Sequence, residues 1–273
     1  MSAEIRQIST PADFAAVFDV SRETLDRLAT YEALLRQWQK AVNLVAPATL
    51  DAVWLRHFAD SAQLVPLGPP GTRSWIDLGS GAGFPGLVAA IVMAGTSSKL
   101  SERRAAGSPP PLWGRDRVGG NPKPQQSGVP PPLAPPHKGE GNLATVAAPD
   151  PIRFTLIESD TRKCAFLREV ARQTGVAVDI LSRRAESART SVNKDLPRIV
   201  SARALAPLDR LLDLAEPLSP PGTTLLFPKG REVAQELQLA ESRWRFQVAL
   251  VPSVTDTHGR IAVITNLERK AKD

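Results

Sequence analysis

Trp75-Ile76-Asp77-Leu78-Gly79-Ser80-Gly81-Ala82-Gly83-Phe84-Pro85-Gly86 reads as a strand, a tight turn and the start of a helix. Three alternating glycines let the backbone take positive φ and approach a ligand closely. Pro85 suits a first helical turn, where its missing N–H leaves no bond unmade. Outward from this segment, apolar strands and amphipathic helices alternate. The pattern predicts strands at Ser74–Leu78, Phe154–Ile157, Val176–Leu181, Ile199–Ala202 and Thr223–Phe227, with a closing pair at Phe246–Val251 and Ile261–Thr265. Helices are predicted at Pro85–Met93, from Arg162 to about Thr174 with Gly175 as its stop, at Leu208–Leu214 and near Val233–Ala240. Such alternation implies an α/β fold with a mostly parallel, seven-stranded sheet covered on both faces. A ligand then sits beyond the carboxyl ends of the strands.

The glycine turn fits two kinds of loop. Gly81 to Gly86 matches the dinucleotide fingerprint G-x-G-x-x-G. Asp77 to Gly83 matches D-x-G-x-G-x-G, the loop of Rossmann-like S-adenosylmethionine-dependent methyltransferases. Asp77 favours the second, because a carboxylate at the strand end repels a pyrophosphate and attracts an ammonium or a sulfonium. An oxidoreductase is therefore the weakest reading. A second acidic residue is expected after the next strand, to hold ribose hydroxyls, and Glu158 stands there. It lies 75 residues beyond Gly83, against the usual span of about 20. Removing residues 97–150, 54 in all, leaves 21.

Residues 97–150 stand apart on composition as well. They hold eleven of the 25 prolines, and seven Lys/Arg against four Asp/Glu, which is half of the net charge of +6. So much Pro and Gly with few aliphatic residues does not bury enough surface to offset the ordering entropy. The stretch reads as a disordered insertion; a Pro-rich docking segment or a basic RNA-binding arm is the functional alternative. Without it the chain carries only +3, so charge alone does not argue for nucleic acid. Ahead of the glycine turn, Leu25, Leu28, Tyr31, Leu34, Leu35, Trp38 and Val42 form an apolar stripe, with Ser21 as its cap and an end before Pro47. The expected organisation is a helical extension over 1–70 and a catalytic domain over 71–273, interrupted at 97–150. Cys164 is the one cysteine, which excludes an internal disulfide and a cysteine-rich metal site and fits a packed thiol. No bound metal is expected. No apolar run suggests a signal peptide or a membrane span, so a cytoplasmic protein is expected.

Several short segments then occur in a recognisable order: Trp38-Gln39-Lys40-Ala41-Val42-Asn43-Leu44, Arg56-His57-Phe58-Ala59-Asp60-Ser61, the Asp77–Gly86 loop, Ser201-Ala202-Arg203-Ala204 and Lys229-Gly230. In this the chain resembles the bacterial 16S ribosomal RNA guanine-N7 methyltransferases, the glucose-inhibited division protein B family. The resemblance covers about residues 21–96 and 151–267. It implies S-adenosyl-L-methionine as cofactor, 16S ribosomal RNA or the small ribosomal subunit as partner, and a monomer. Beyond Asp77, Gly81 and Gly83, it implies cofactor contacts from Gly79, Phe84, Glu158, Ala185, Glu186 and Arg203. It marks Arg184, Arg203, Lys229 and Arg260 as the important basic positions.

The chemistry would then be a displacement at a methyl carbon. Guanine N7 has a lone pair and no proton, so no general base is needed. The protein's tasks are positioning and electrostatics. Arg203 and Lys229, each at a strand's carboxyl end, are expected to fix the guanine or a neighbouring phosphate. His57 is a candidate to stack on or bond a nucleotide, and Trp38 is expected in the core. A methyltransferase of a small molecule or protein, and a non-catalytic nucleic-acid-binding protein that keeps the fold, remain as alternatives.

Overall fold

The computed structural model describes residues 7–105, 152–187 and 198–271. A seven-stranded sheet runs in the order β3-β2-β1-β4-β5-β7-β6. The strands are β1 (Ser74–Leu78), β2 (Arg153–Glu158), β3 (Asp179–Ser182), β4 (Arg198–Ala202), β5 (Thr224–Lys229), β6 (Trp244–Pro252) and β7 (Arg260–Arg269). Pairing is parallel from β3 through β5 and antiparallel at β5–β7 and β7–β6. The strand order reverses between β1 and β4, so a crevice opens at their carboxyl ends.

Every residue of β1 is buried, as a central strand covered on both faces requires. Alternation along it divides the core. Trp75 packs with the helices α1 (Pro11–Phe18), α2 (Arg22–Trp38), α4 (Gly86–Ala105) and α5 (Thr161–Thr174) on one face. Ile76 and Leu78 pack with α6 (Leu208–Ala215) and α7 (Val233–Glu241) on the other. A π-helical turn at Trp54–Ala59 and the short α3 (Asp60–Ala62) complete the helical extension.

Four points differ from the sequence pattern. α2 ends at Trp38, before Pro47 as expected but short of Val42, the last residue of its apolar stripe, which is buried in the same core. Gln39 ends it, its Oε1 accepting from Leu44 N and Val45 N at 3.0 Å each and its Nε2 donating to Val45 O at 2.8 Å. Ser21 does cap α2, accepting from Thr24 N at 3.1 Å. α4 does not stop at Met93 but continues to Ala105, so residues 97–105, assigned by composition to the insertion, have helical backbone; 106–151 lie outside the described residues. β3 begins at Asp179 rather than Val176. α1 was not expected, yet Thr10-Pro11-x-Asp13 forms a capping box ahead of it.

Candidate active site

The glycine loop follows β1 directly. Gly79, Gly81 and Gly83 all have positive φ, at 63°, 56° and 97°. Gly79, Ser80, Gly81, Ala82 and Phe84 of the loop line a cavity of about 600 Å³, within the range of small-molecule sites. Glu158, Ser159 and Lys163 also line it, as do Arg184, Ala185 and Glu186 after β3 and Arg203, Ala204 and Leu205 after β4.

Glu158 arrives there through register. Leu78 pairs with Ile157, so the next residue of β2 faces the loop. Its Oε2 accepts from Gly81 N and its Oε1 from Asp160 N, each at 2.8 Å. Three further loop amides are engaged: Ser80 N with Ile157 O at 3.0 Å, and Gly83 N and Phe84 N with Ser80 O at 2.6 and 3.2 Å. A pyrophosphate needs such amides free. With a carboxylate already on Gly81 N, the loop suits a neutral or cationic ligand, and the dinucleotide reading fails on geometry as well as on charge. A Cβ at Gly81 would meet nothing nearer than Gly79 O, at 3.8 Å, so it would project into the cavity. This bare backbone beside a carboxylate fits a sulfonium amino acid joined to a nucleoside.

Asp77 takes a different place from the one its charge suggested. Its carboxyl is fully buried beneath the loop and is not among the cavity-lining groups. Ser201, its register partner on β4, donates to Oδ1 at 2.7 Å, and Trp75 Nε1 donates to Ser201 at 2.8 Å. Burial, with some help from the Glu158 charge, pushes the Asp77 carboxyl up to about 6 against the opposing Ser201 bond. A folded-state value above the ordinary 3.8 means that ionisation destabilises the fold. Stability from this group is complete below about pH 4 and lost as pH rises to about 6, a change of about 3 kcal/mol. Asp77→Asn is therefore expected to gain about 3 kcal/mol relative to wild type between pH 4 and pH 6. Urea unfolding of both proteins across that range measures it, and a flat difference would refute it.

Arg203 sits just past β4, at the cavity rim. Its Nε pairs with Asp60 Oδ2 at 3.0 Å, its Nη2 donates to Arg56 O at 2.7 Å, and its Nη1 donates to His57 Nδ1 at 3.1 Å. A guanidinium only donates, so Nδ1 must be the acceptor and the His57 proton is on Nε2, which meets Thr49 Oγ1 at 2.8 Å. Burial first, then the Arg203 and Arg56 charges, hold the His57 value down at about 3. His57 is thus a neutral ring with both nitrogens engaged, stacked on Phe84 at 4.7 Å. Trp38 is packed against the core, 5.8 Å from Phe166, as expected. Cys164 is likewise a buried thiol, donating to Glu158 O at 3.3 Å.

A second cavity, of about 290 Å³, lies across Arg203 from the first. Arg56, Lys229 and Arg260 line it together with Arg203 and Ala204, which border both cavities. Arg260 is brought opposite Lys229 by the β5–β7 register. Lys229 is not an open basic rim: its Nζ pairs with Glu236 Oε2 at 2.6 Å and donates to Ala206 O at 3.0 Å. Arg184 borders the first cavity and is exposed, and Glu186 makes an exposed pair with Arg210 at 2.9 Å, worth little to stability. Sequence reasoning missed Thr49, Lys163, Gln63 and Leu205. Only tertiary contacts bring these to the site, and no local pattern marks them.

The sheet order, with its crevice at the β1–β4 reversal and a glycine-walled cavity that places Glu158 against the loop, is that of the Rossmann-like methyltransferases that use S-adenosylmethionine. The chain belongs to the family described as rRNA small subunit methyltransferase G, which it matches over residues 24–105 and 144–265. It is 45% identical to the ribosomal RNA small subunit methyltransferase G of Rhodospirillum centenum, over 93% of this chain and 90% of that protein. The proteins of that name from Parvibaculum lavamentivorans and Methylorubrum extorquens are each 40% identical, over 96% and 92% of this chain and 91% and 92% of theirs. Among the described residues no helix is long and apolar enough to cross a membrane.

Proposed function

We propose that this chain transfers a methyl group from S-adenosylmethionine to N7 of a guanine in 16S ribosomal RNA. The observation that carries this reading is the shared wall: Arg203 and Ala204 border both a cavity suited to the cofactor and a second one edged by Arg56 and Arg260. The methyl donor and an RNA base would meet there. Gly79, Gly81, Phe84, Glu158, Ala185, Glu186 and Arg203 would hold the cofactor, with Asp77 and Gly83 shaping the loop from beneath. The bound cofactor supplies a methyl group on a cationic sulfur.

The chain's own residues orient and balance charge. Guanine N7 needs no proton removed, and His57, neutral and engaged at both nitrogens, is not set up to remove one. The base becomes cationic on methylation. Asp60 neutralises Arg203, so the nearest guanidinium does not oppose that charge. Arg184 and Arg260 would meet the RNA backbone. The same reading makes the protein a cytoplasmic monomer, composed of a helical extension over 1–70 and a methyltransferase domain over 71–273 interrupted within 97–150, acting on 16S RNA or on the small subunit.

Small-subunit RNA from a strain lacking the gene, digested and analysed by mass spectrometry, should gain one 7-methylguanosine when the gene is restored. No gain, from soluble protein that binds S-adenosylmethionine, would overturn the RNA reading and point to a small molecule or a protein as acceptor.

A further inference from the structure

The turn between β4 and α6 is held by a pair of charges, Lys229 and Glu236, of which Lys229 lines the second cavity and Glu236 lines neither. α6 begins at Leu208 behind Pro207, and no side chain of the turn itself caps it. Its first amide, Leu208 N, donates instead to Glu236 Oε2 at 2.6 Å, from α7. The same oxygen accepts from Lys229 Nζ at 2.6 Å, and Lys229 Nζ also donates to Ala206 O at 3.0 Å. Two side chains thus clamp both ends of Ala206-Pro207-Leu208. The Lys229 side chain is only 8% exposed. A pair so withdrawn from water is a poor source of stability, because desolvation offsets its attraction, whereas its geometry is fixed.

The clamped turn carries Arg203, Ala204 and Leu205. Ala204 has a φ of 51°, in the left-handed region. That conformation costs about 1–2 kcal/mol in a residue with a Cβ and persists only where the surroundings impose it. Leu205 lies over Gly79 and borders the cofactor cavity. Asp60 and His57 hold this segment from one side, and the Lys229–Glu236 pair holds it from the other.

We infer that Glu236 is a positioning residue for methyl transfer, acting through Lys229 and the Ala206–Leu208 turn to set Arg203 and Leu205 between the two cavities. Lys229 then directs its charge at Glu236 and Ala206 O rather than at an RNA phosphate. What the site does rests on the function proposed above; the clamp itself does not.

The test compares Glu236→Leu, Glu236→Gln, Lys229→Met and the double variant Lys229→Met/Glu236→Leu in the full chain. Misplacing reacting groups by about 1 Å costs on the order of 100-fold, so Glu236→Leu should lower kcat by about that factor with KM for the RNA little changed. Glu236→Gln should recover most of the loss, since its amide oxygen still accepts from Leu208 N. The double variant should be no worse than the poorer single one. The salt dependence of RNA binding should be the same in Lys229→Met as in wild type. A slope lowered by about one in Lys229→Met, with kcat intact in Glu236→Leu, would make Lys229 a phosphate contact and overturn the inference. Hydrogen exchange at Leu208 N needs no substrate. It should quicken in Glu236→Leu and not in Glu236→Gln, and unchanged exchange in Glu236→Leu would refute the clamp. Wild-type protein that leaves small-subunit RNA unmethylated would instead count against the proposed function.

Discussion

The Arg203→Ala protein is expected to remain folded and to lose methyl transfer by on the order of 100- to 1,000-fold. Arg203 makes three different connections with one planar group: to the Asp60 carboxylate, to the His57 ring and to Arg56 O. Its carbon also stands 5.8 Å over the Phe84 ring in the glycine loop. Truncation unties the helical extension from the end of β4 at the one residue that borders both cavities beside Ala204. Asp60 keeps bonds from Thr255 Oγ1 at 2.8 Å and Gln63 Nε2 at 2.9 Å, so its carboxylate is not stranded and the loss of stability should stay at about 1–3 kcal/mol. Arg203→Lys should recover little, because an ammonium does not reproduce the fork that reaches all three partners. Complementation of a strain lacking the gene, read out as 7-methylguanosine, tests the activity. A titration of His57 by NMR gives an independent check. With one of the two neighbouring cations removed, the His57 value should rise from about 3, though burial, the larger cause, keeps it below the usual imidazole range. Wild-type 7-methylguanosine levels with Arg203→Ala, or an unmoved His57, would contradict this account.

Much of this architecture was legible because local pattern and global fold agree. β1 falls at Ser74–Leu78 as read, and Gly175 stops α5 with a φ of 65°. What was not legible came from long-range contacts. Asp77 reads as facing the ligand from its charge and its place at a strand end; the register that sets Ser201 beside it, and so buries it, joins residues 124 apart. Lys229 reads as a basic rim until α7 brings Glu236 against it. Spacing points to Glu158 in the sequence, 21 residues from Gly83 once residues 97–150 are set aside. Strand pairing, not spacing, is what sets Glu158 beside the loop.

The two inner glycines of the loop should separate folding from cofactor binding. Gly83→Ala meets two obstacles at once. Its φ of 97° is poorly tolerated by a residue with a Cβ, and that Cβ would run into the Tyr31 hydroxyl and come within 3.0 Å of both Leu167 and Leu87. Tyr31 is fully buried and its hydroxyl donates to Ala82 O, so it is fixed by the very loop it would have to leave. Backbone strain of about 1–3 kcal/mol and overpacking of about 1–3 kcal/mol add, and a loss of about 3–5 kcal/mol follows, a large part of a typical domain's stability. At Gly81 the φ is 56°, and a Cβ would find only Gly79 O, at 3.8 Å. Gly81→Ala should therefore cost about 1–2 kcal/mol of stability. The added methyl enters the cavity beside Glu158, so cofactor affinity is what it removes. Thermal unfolding and calorimetric titration with S-adenosylmethionine should give opposite orders: Gly83→Ala far the less stable, Gly81→Ala folded but binding weakly. If Gly81→Ala bound the cofactor as wild type does, the cavity beside Gly81 would not be where the cofactor lies. If Gly83→Ala unfolded at the wild-type temperature, the contact between the loop and Tyr31 would not hold the helical extension to the sheet.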